Sequence, residues 1–321
     1  MSTTVAPAET AAAAPAYGLK GEPGWEPAFA PSCGIQQRPI SVTLDGPAIF
    51  AVAVALVLFI HFLGSHLTEV LVGLTPIFLL VRNDYRNFIS LGPGGTPSTF
   101  QGYLRISWLR LWALRDPFSA PKPDPDRVPS QGILRRQALP YRAGPRPLVA
   151  GIAPQRQLDQ HGSSQCYLSL RRAMEKLSVR NPLTFGTERS CLEKHGLALF
   201  ARHPLQTNCQ GEICHVHDSD HSMHMCLHPD DITEILSKGW GQRHPLARKD
   251  WLLHMPVSQD FVMVYAPRSE FHSLAPTCAR ARADAPSAAE QELQITYRII
   301  EAAIWYILAE RVELGAFPKG A

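Results

Sequence analysis

Five of the chain's thirteen histidines fall within fourteen residues, in the run Cys214-His-Val-His217-Asp-Ser-Asp-His221-Ser-Met-His224-Met-Cys226-Leu-His228. On a β-strand, side chains at i and i+2 share a face, so His215 and His217 are expected to point the same way. Asp218-Ser-Asp-His221 suits a hairpin turn, and the returning strand would carry His224 back beside them. Three imidazoles and Asp218 in one place suit two chemistries. One is proton transfer, because imidazole titrates near working pH. The other is metal binding, in which His-x-His plus a distant His or carboxylate holds Fe or Zn in a site open to substrate. Against both stands the plainer reading that single histidines face solvent or make structural hydrogen bonds. Cys214 and Cys226 are expected on the face opposite His215 and His217, which disfavours thiolate ligation.

Two further strings carry binding groups. Gly239-Trp-Gly-Gln-Arg-His-Pro-Leu246 reads as a tight, ordered turn. Trp240 can stack on a planar ligand, and Arg243 can pair with an enolate or carboxylate. The competing reading is a surface turn with a packed Trp. Tyr265-Ala-Pro-Arg268 closes an apolar strand, where binding groups often sit. His221 and His244 complete the substrate-binding candidates. The sequence holds no Gly-rich phosphate loop, no G-x-S-x-G and no H-E-x-x-H, so hydrolases of those types, kinases and nicotinamide enzymes lack support.

The elements that must position these residues follow from pattern. A helix is expected over Ser163–Val179 and strands over Leu183–Thr187, Leu197–Phe200, Glu212–His217, Ser222–Leu227 and Phe261–Tyr265. A helix over Asp230–Lys238 starts behind Pro229 and ends at Gly239, and a long apolar helix runs from about Ala288 to Val312. Strands and helices do not alternate as βαβ, so the fold class is α+β, a small, mostly antiparallel sheet packed by helices.

Ahead of that sheet, the only formal charge between Asp45 and Arg82 is Glu69. About 20 apolar residues span a bilayer, so one N-terminal transmembrane helix over roughly 47–68 is expected. Arg82, Arg86, Arg105, Arg110 and Arg115 follow it, which places the C-terminal side in the cytosol. Seven scattered cysteines read as reduced thiols on that side. Residues 100–114 form a basic helix with Trp108 and Trp112, suited equally to a membrane surface or to packing on the core. The organisation is a tail at 1–44, a membrane segment at 45–81, a juxtamembrane helix and Pro-rich strap at 82–150, and a globular domain at 151–321. A net charge of +3 without a basic run gives no support for nucleic-acid binding.

Arg82-Asn-Asp-Tyr-Arg-Asn-Phe88, Leu91-Gly-Pro93, Phe100-Gln-Gly-Tyr103, His215-Val-His-Asp218, Lys238-Gly-Trp-Gly-Gln-Arg-His-Pro-Leu-Ala247 and Tyr265-Ala-Pro-Arg268 occur in the order and spacing of the fungal luciferase family, which the chain resembles over about two thirds of its length. The resemblance implies a single-span membrane protein, most naturally of the endoplasmic reticulum. It also implies oxidation of 3-hydroxyhispidin, an electron-rich pyrone, by O₂ with release of CO₂ and light, and no organic cofactor or metal. On that pattern His215, His217 and His224 are the bases, Asp218 orients one, Arg243 and Tyr265 hold enolate oxygens, and Trp240 holds the rings. The long N-terminal tail and the insert at 275–287 lie outside the family pattern. The alternatives are a metal-dependent oxygenase or hydrolase built on the histidines, and a membrane-tethered module that binds a small molecule or a protein without catalysis.

Overall fold

The computed structural model describes residues 46–63, 66–137, 139–205, 210–249, 254–268 and 287–315. The expected tail and nearly all of the 275–287 insert lie outside them. The chain divides into two units, Met1–Val72 and Gly73–Ala321.

The apolar N-terminal segment forms helix α1 at Gly46–Leu63, and α2 spans His66–Ser90. The expected helix over 47–68 is described as α1 and the start of α2, with residues 64–65 outside the described set. No helix among the described residues is long and apolar enough to cross a membrane. Val57, Phe59 and Phe62 of α1 are nonetheless exposed.

Within the second unit, α2 meets α3 (Phe100–Arg110). Thr99 caps α3 by accepting from the Gly102 amide. Phe88, Tyr103 and Ile106 form a small core with Ile152 and Leu246. The Tyr103 hydroxyl and Arg110 both donate to Asp84. The α3 helix thus packs on its Tyr103–Ile106 side and leaves Leu104 and Trp108 outside.

A short hairpin, β1 (Val149–Gly151) and β2 (Gln155–Gln157), precedes α4 (Ser164–Arg180). Then come β3 (Phe185–Arg189), β4 (Leu197–Ala201), β5 (Glu212–Val216), β6 (Met223–Cys226), α5 (Pro229–Lys238), β7 (Gly241–Arg243), β8 (Phe261–Val264) and α6 (Ala288–Leu308). Six strands form one antiparallel sheet in the order β3-β4-β5-β6-β8-β7. The α+β class is as the pattern indicated. Gly241–Arg243, expected as a turn, is a short edge strand, because the extended residues after Gly239 find a partner in β8.

Start and stop signals are local. Pro229 begins α5 behind His228, whose ring nitrogen accepts the Asp230 amide, and Gly239 ends it at φ 82°. Ser287 and Glu290 form a capping box at the start of α6. Helices α4 and α6 cover one face of the sheet. The Cys214 sulfur lies 3.7 Å from that of Met174 on α4, so strand alternation turns His215 to the other face. Cys166, Cys214 and Cys226 are buried. Cys191 is disulfide-bonded, which departs from the reading of reduced thiols throughout.

The Pro-rich segment is tied to the sheet edge. Arg243 N–H donates to Pro117 O, Arg142 N–H to Lys238 O, and the Arg146 guanidinium to Gly241 O. Asp231 at the start of α5 accepts the amides of Ile133 and Leu134. A Cβ on Gly132 would lie 2.3 Å from an Asp231 oxygen that those amides already hold. Overpacking of this kind costs about 1–3 kcal/mol. Gly132→Ala is expected to lower the unfolding free energy by that amount, read by denaturant titration in detergent; an unchanged midpoint would mean the strap is not held there.

Candidate functional site

Strand pairing places His215 directly opposite His224, on β5 and β6. His217 lies one residue past β5, where its amide still bonds Ser222 O at 2.9 Å. All three imidazoles are buried. His217 Nε2 lies 3.0 Å from His224 Nδ1, and His215 Nε2 lies 3.3 Å from the same atom.

The outer nitrogen of each ring is engaged by a different element. His215 Nδ1 meets Glu212 Oε1 at 2.5 Å. His217 Nδ1 meets Asp220 Oδ1 at 3.1 Å and Ser222 Oγ at 2.9 Å, and that hydroxyl donates to Asp220 Oδ2. His224 Nε2 meets Gln155 Oε1 on β2 at 2.9 Å. Carboxylates and amide oxygens only accept, so each outer nitrogen carries the hydrogen. The three inner nitrogens, His215 Nε2, His217 Nε2 and His224 Nδ1, therefore carry lone pairs that face one another.

Charge follows from burial and these bonds. Burial acts against the Glu212 carboxylate, but His215, the Ser190 hydroxyl and the Cys191 amide outweigh it and hold the group below the usual carboxylate range. Burial likewise opposes charge on Asp220, where His217, Arg156 and the Gln157 amide prevail and keep it ionised. Burial pushes His217 down, helped by Arg156. It pushes His224 well down, helped by the neighbouring imidazoles. His244 is lowered to about 4, chiefly by burial.

Beside the triad is a cavity of about 90 Å³. His215, His224 and His244 form its polar end. Leu109, Ile152, Leu192, Leu246, Val257 and Phe261 form apolar walls, and Arg105 and Glu193 also line it. Phe261 stacks on His224 at 5.1 Å between ring centroids. The volume exceeds the one-probe minimum of roughly 10–15 Å³ for a single water several times over.

Of the residues singled out by sequence, His215, His217, His224 and His244 come together. Asp218 does not: it is exposed and accepts a hydrogen bond from the Tyr167 hydroxyl, while Asp220 orients His217. His221 stacks on Tyr167, and its ring bonds Gly162 O. Trp240 is buried in the core and donates to Pro140 O. Arg243 donates to the backbone oxygens of Ser119, Ala247 and Gln259. Tyr265 donates to Gln242, and Arg268 pairs with Glu292. Each of these six is committed to the scaffold, away from the cavity lining.

Sequence reasoning missed Glu212, Asp220, Ser222, Gln155 and Arg105. Glu212 was hidden by a β-bulge. Phe200 pairs with Glu212 but Leu199 pairs with Cys214, which leaves Ile213 extra on β5. The extra residue breaks strict alternation and brings Glu212 to the face of His215. Asp220 was legible in principle, as the other acid of the same turn.

Fold and site together define an α+β protein with a buried three-histidine centre on one face of an antiparallel sheet. A family model described as a luciferase domain matches residues 210–270, a stretch that contains β5 to β8. The chain is 30% identical to a luciferase of Armillaria mellea over 248 residues, 72% of this chain and 82% of that protein. It is 30% identical to a luciferase of Armillaria gallica over 74% of this chain and 85% of that one. It is 28% identical to a luciferase of Neonothopanus nambi over 72% and 82%. The chain belongs to the fungal luciferase family. No solved structure matches it.

Two outcomes follow from the geometry. A base whose folded pKa is depressed leaves the unfolded chain binding more protons, so stability rises with pH between the two values. For His244 that window runs from about 4 to about 6.5. The thermal midpoint is expected to climb across this range, and His244→Gln should flatten the climb; an equally steep climb in that variant would contradict the assignment. Replacing Trp240 by Phe leaves Pro140 O without its donor, at about 1–3 kcal/mol. Stability should fall by that amount with substrate affinity unchanged, whereas a rise in KM without loss of stability would make Trp240 a binding platform.

Proposed function

We propose that this chain is a membrane-attached oxygenase of luciferase type that acts with O₂ on the anion of a hydroxypyrone or similar aromatic polyketide. The observation that carries the reading is the cavity beside the triad, lined by apolar walls, by His215, His224 and His244, and by Arg105. Family membership supplies the reaction class, since the relatives are luciferases.

The residues fit what that chemistry requires. An enol gives an electron to O₂ far more readily as its anion, so a site must draw off the enol proton and stabilise the charge left behind. The converging lone pairs of the triad are electron-pair donors, and His215 and His224 of the triad line the cavity. The Arg105 guanidinium supplies a fixed positive charge for an anionic oxygen. The leucine, isoleucine, valine and phenylalanine walls exclude water and protect a peroxide from side reactions. Glu212, Asp220 and Gln155 hold the rings in place and are positioning residues.

Membrane attachment is supported by exposed apolar side chains on both N-terminal helices. These include Val57, Phe59 and Phe62 on α1 and Ile77, Phe78 and Leu80 on α2. Exposed apolar surface on this scale marks an interaction site. An apolar helical stretch can also lie at the bilayer interface.

Membranes carrying the full chain should consume O₂ when given 3-hydroxyhispidin, with light as a second readout. Failure with a panel of hydroxypyrones would defeat the oxygenase reading and favour a binding module. Arg105→Gln is expected to raise KM about tenfold with a smaller change in kcat. Asp220→Asn should lower kcat by a factor of ~10² or more, because it frees the His217 tautomer. Asp218→Asn should remain within about twofold of the parent; a loss equal to that of the Asp220 variant would return Asp218 to the site.

A further inference from the structure

Three imidazoles with their lone pairs turned inward repel one another unless something positive lies between them. The nitrogens are 3.0 and 3.3 Å apart, and all three lie within 4.8 Å. A tetrahedral metal with bonds of about 2.0–2.1 Å separates its nitrogen donors by about 3.3 Å. Two of the three separations already suit such a centre, and the third pair has further to close. The outer N–H groups rest on Glu212, on Asp220 with Ser222, and on Gln155. Metal-bound histidines carry this arrangement, an outer acceptor fixing tautomer and ring orientation.

Charge balance points the same way. Glu193, Glu212 and Asp220 are buried around the triad, and Arg156 is the buried guanidinium among them, paired with Glu193. The surroundings of the triad are thus rich in carboxylate, which suits a cation held among the histidines. His244 is not available as a fourth ligand, since its Nε2 bonds Ile152 O and its Nδ1 accepts the Leu246 amide. The cavity that touches His215 and His224 leaves room for a small ligand instead.

We infer that His215 Nε2, His217 Nε2 and His224 Nδ1 hold one divalent cation of the imidazole-preferring class, Fe²⁺ or Zn²⁺, with an open position facing the cavity. The cation then replaces the enol proton as the positive charge at the inner end, and an anionic oxygen is the ligand that fills the open position. This deepens the oxygenase reading at the same site and rests on it only for the identity of that organic ligand.

The test uses the full chain purified in detergent. Plasma mass spectrometry should find about one iron or zinc per chain. After removal with a chelator, calorimetric titration with Zn²⁺ or Fe²⁺ alone should show one-to-one binding and a raised thermal midpoint. His224→Ala should abolish uptake, and Asp220→Asn should weaken it by about 10–100-fold. Should these variants fail to fold, the titration of the parent protein decides. A folded, metal-free parent that takes up neither ion at micromolar concentration overturns the inference, and the triad is then a proton-sharing cluster with the hydrogen on His224 Nδ1. Oxygen uptake by metal-free protein at the full rate would also overturn it. Metal uptake without oxygen consumption would support the site while defeating the substrate reading.

Discussion

The site depends on one constraint: each of three buried imidazoles has its outer nitrogen pinned by an acceptor from a different part of the chain. Glu212 acts from within β5, Asp220 from the following turn and Gln155 from the small hairpin laid over the sheet. Because all three acceptors lie outside, the basic atoms are forced inward. Removing any one acceptor would free a ring to take the other tautomer, which would place a hydrogen between the rings and satisfy the cluster by itself. The acceptors therefore determine whether this centre can act on anything else.

The scaffold serves that constraint. Helices α4 and α6 bury the Cys214 and Val216 side of β5, and the histidine side faces β2 and the cavity lined by α3. The bulge at Ile213 moves Glu212 across the sheet, and without it the His215 ring would have no carboxylate. His244, with both nitrogens bonded to backbone, fixes the cavity wall and stays neutral. Arg156 and Glu193 form a buried ion pair behind the site. Such pairs are weak evidence of stability in themselves, but this one sets the field in which Asp220 remains ionised.

Much of this was readable beforehand, for physical reasons. The main helices and five strands of the large sheet follow from periodicity and caps, with Pro229 and Gly239 marking α5 within a residue. The histidine cluster is legible because two-residue spacing on a strand and a four-residue turn nearly dictate that the rings meet. Roles that depend on long-range packing were not legible. Trp240, Arg243, Tyr265 and Arg268 have the types a ligand site uses, yet they fasten the Pro-rich strap and α6. Their partners lie between 4 and 125 residues away, and local pattern cannot tell a backbone carbonyl from a substrate oxygen. Asp218 and Asp220 differ by two positions in one turn, and only the turn's geometry chooses between them.

The central claim is the tautomer pattern of the triad, and nitrogen NMR of histidine-labelled protein reads it most directly. His215 and His217 should appear with hydrogen on Nδ1, and His224 with hydrogen on Nε2. A His224 resonance with hydrogen on Nδ1 would close the cluster by an internal hydrogen bond and contradict the account.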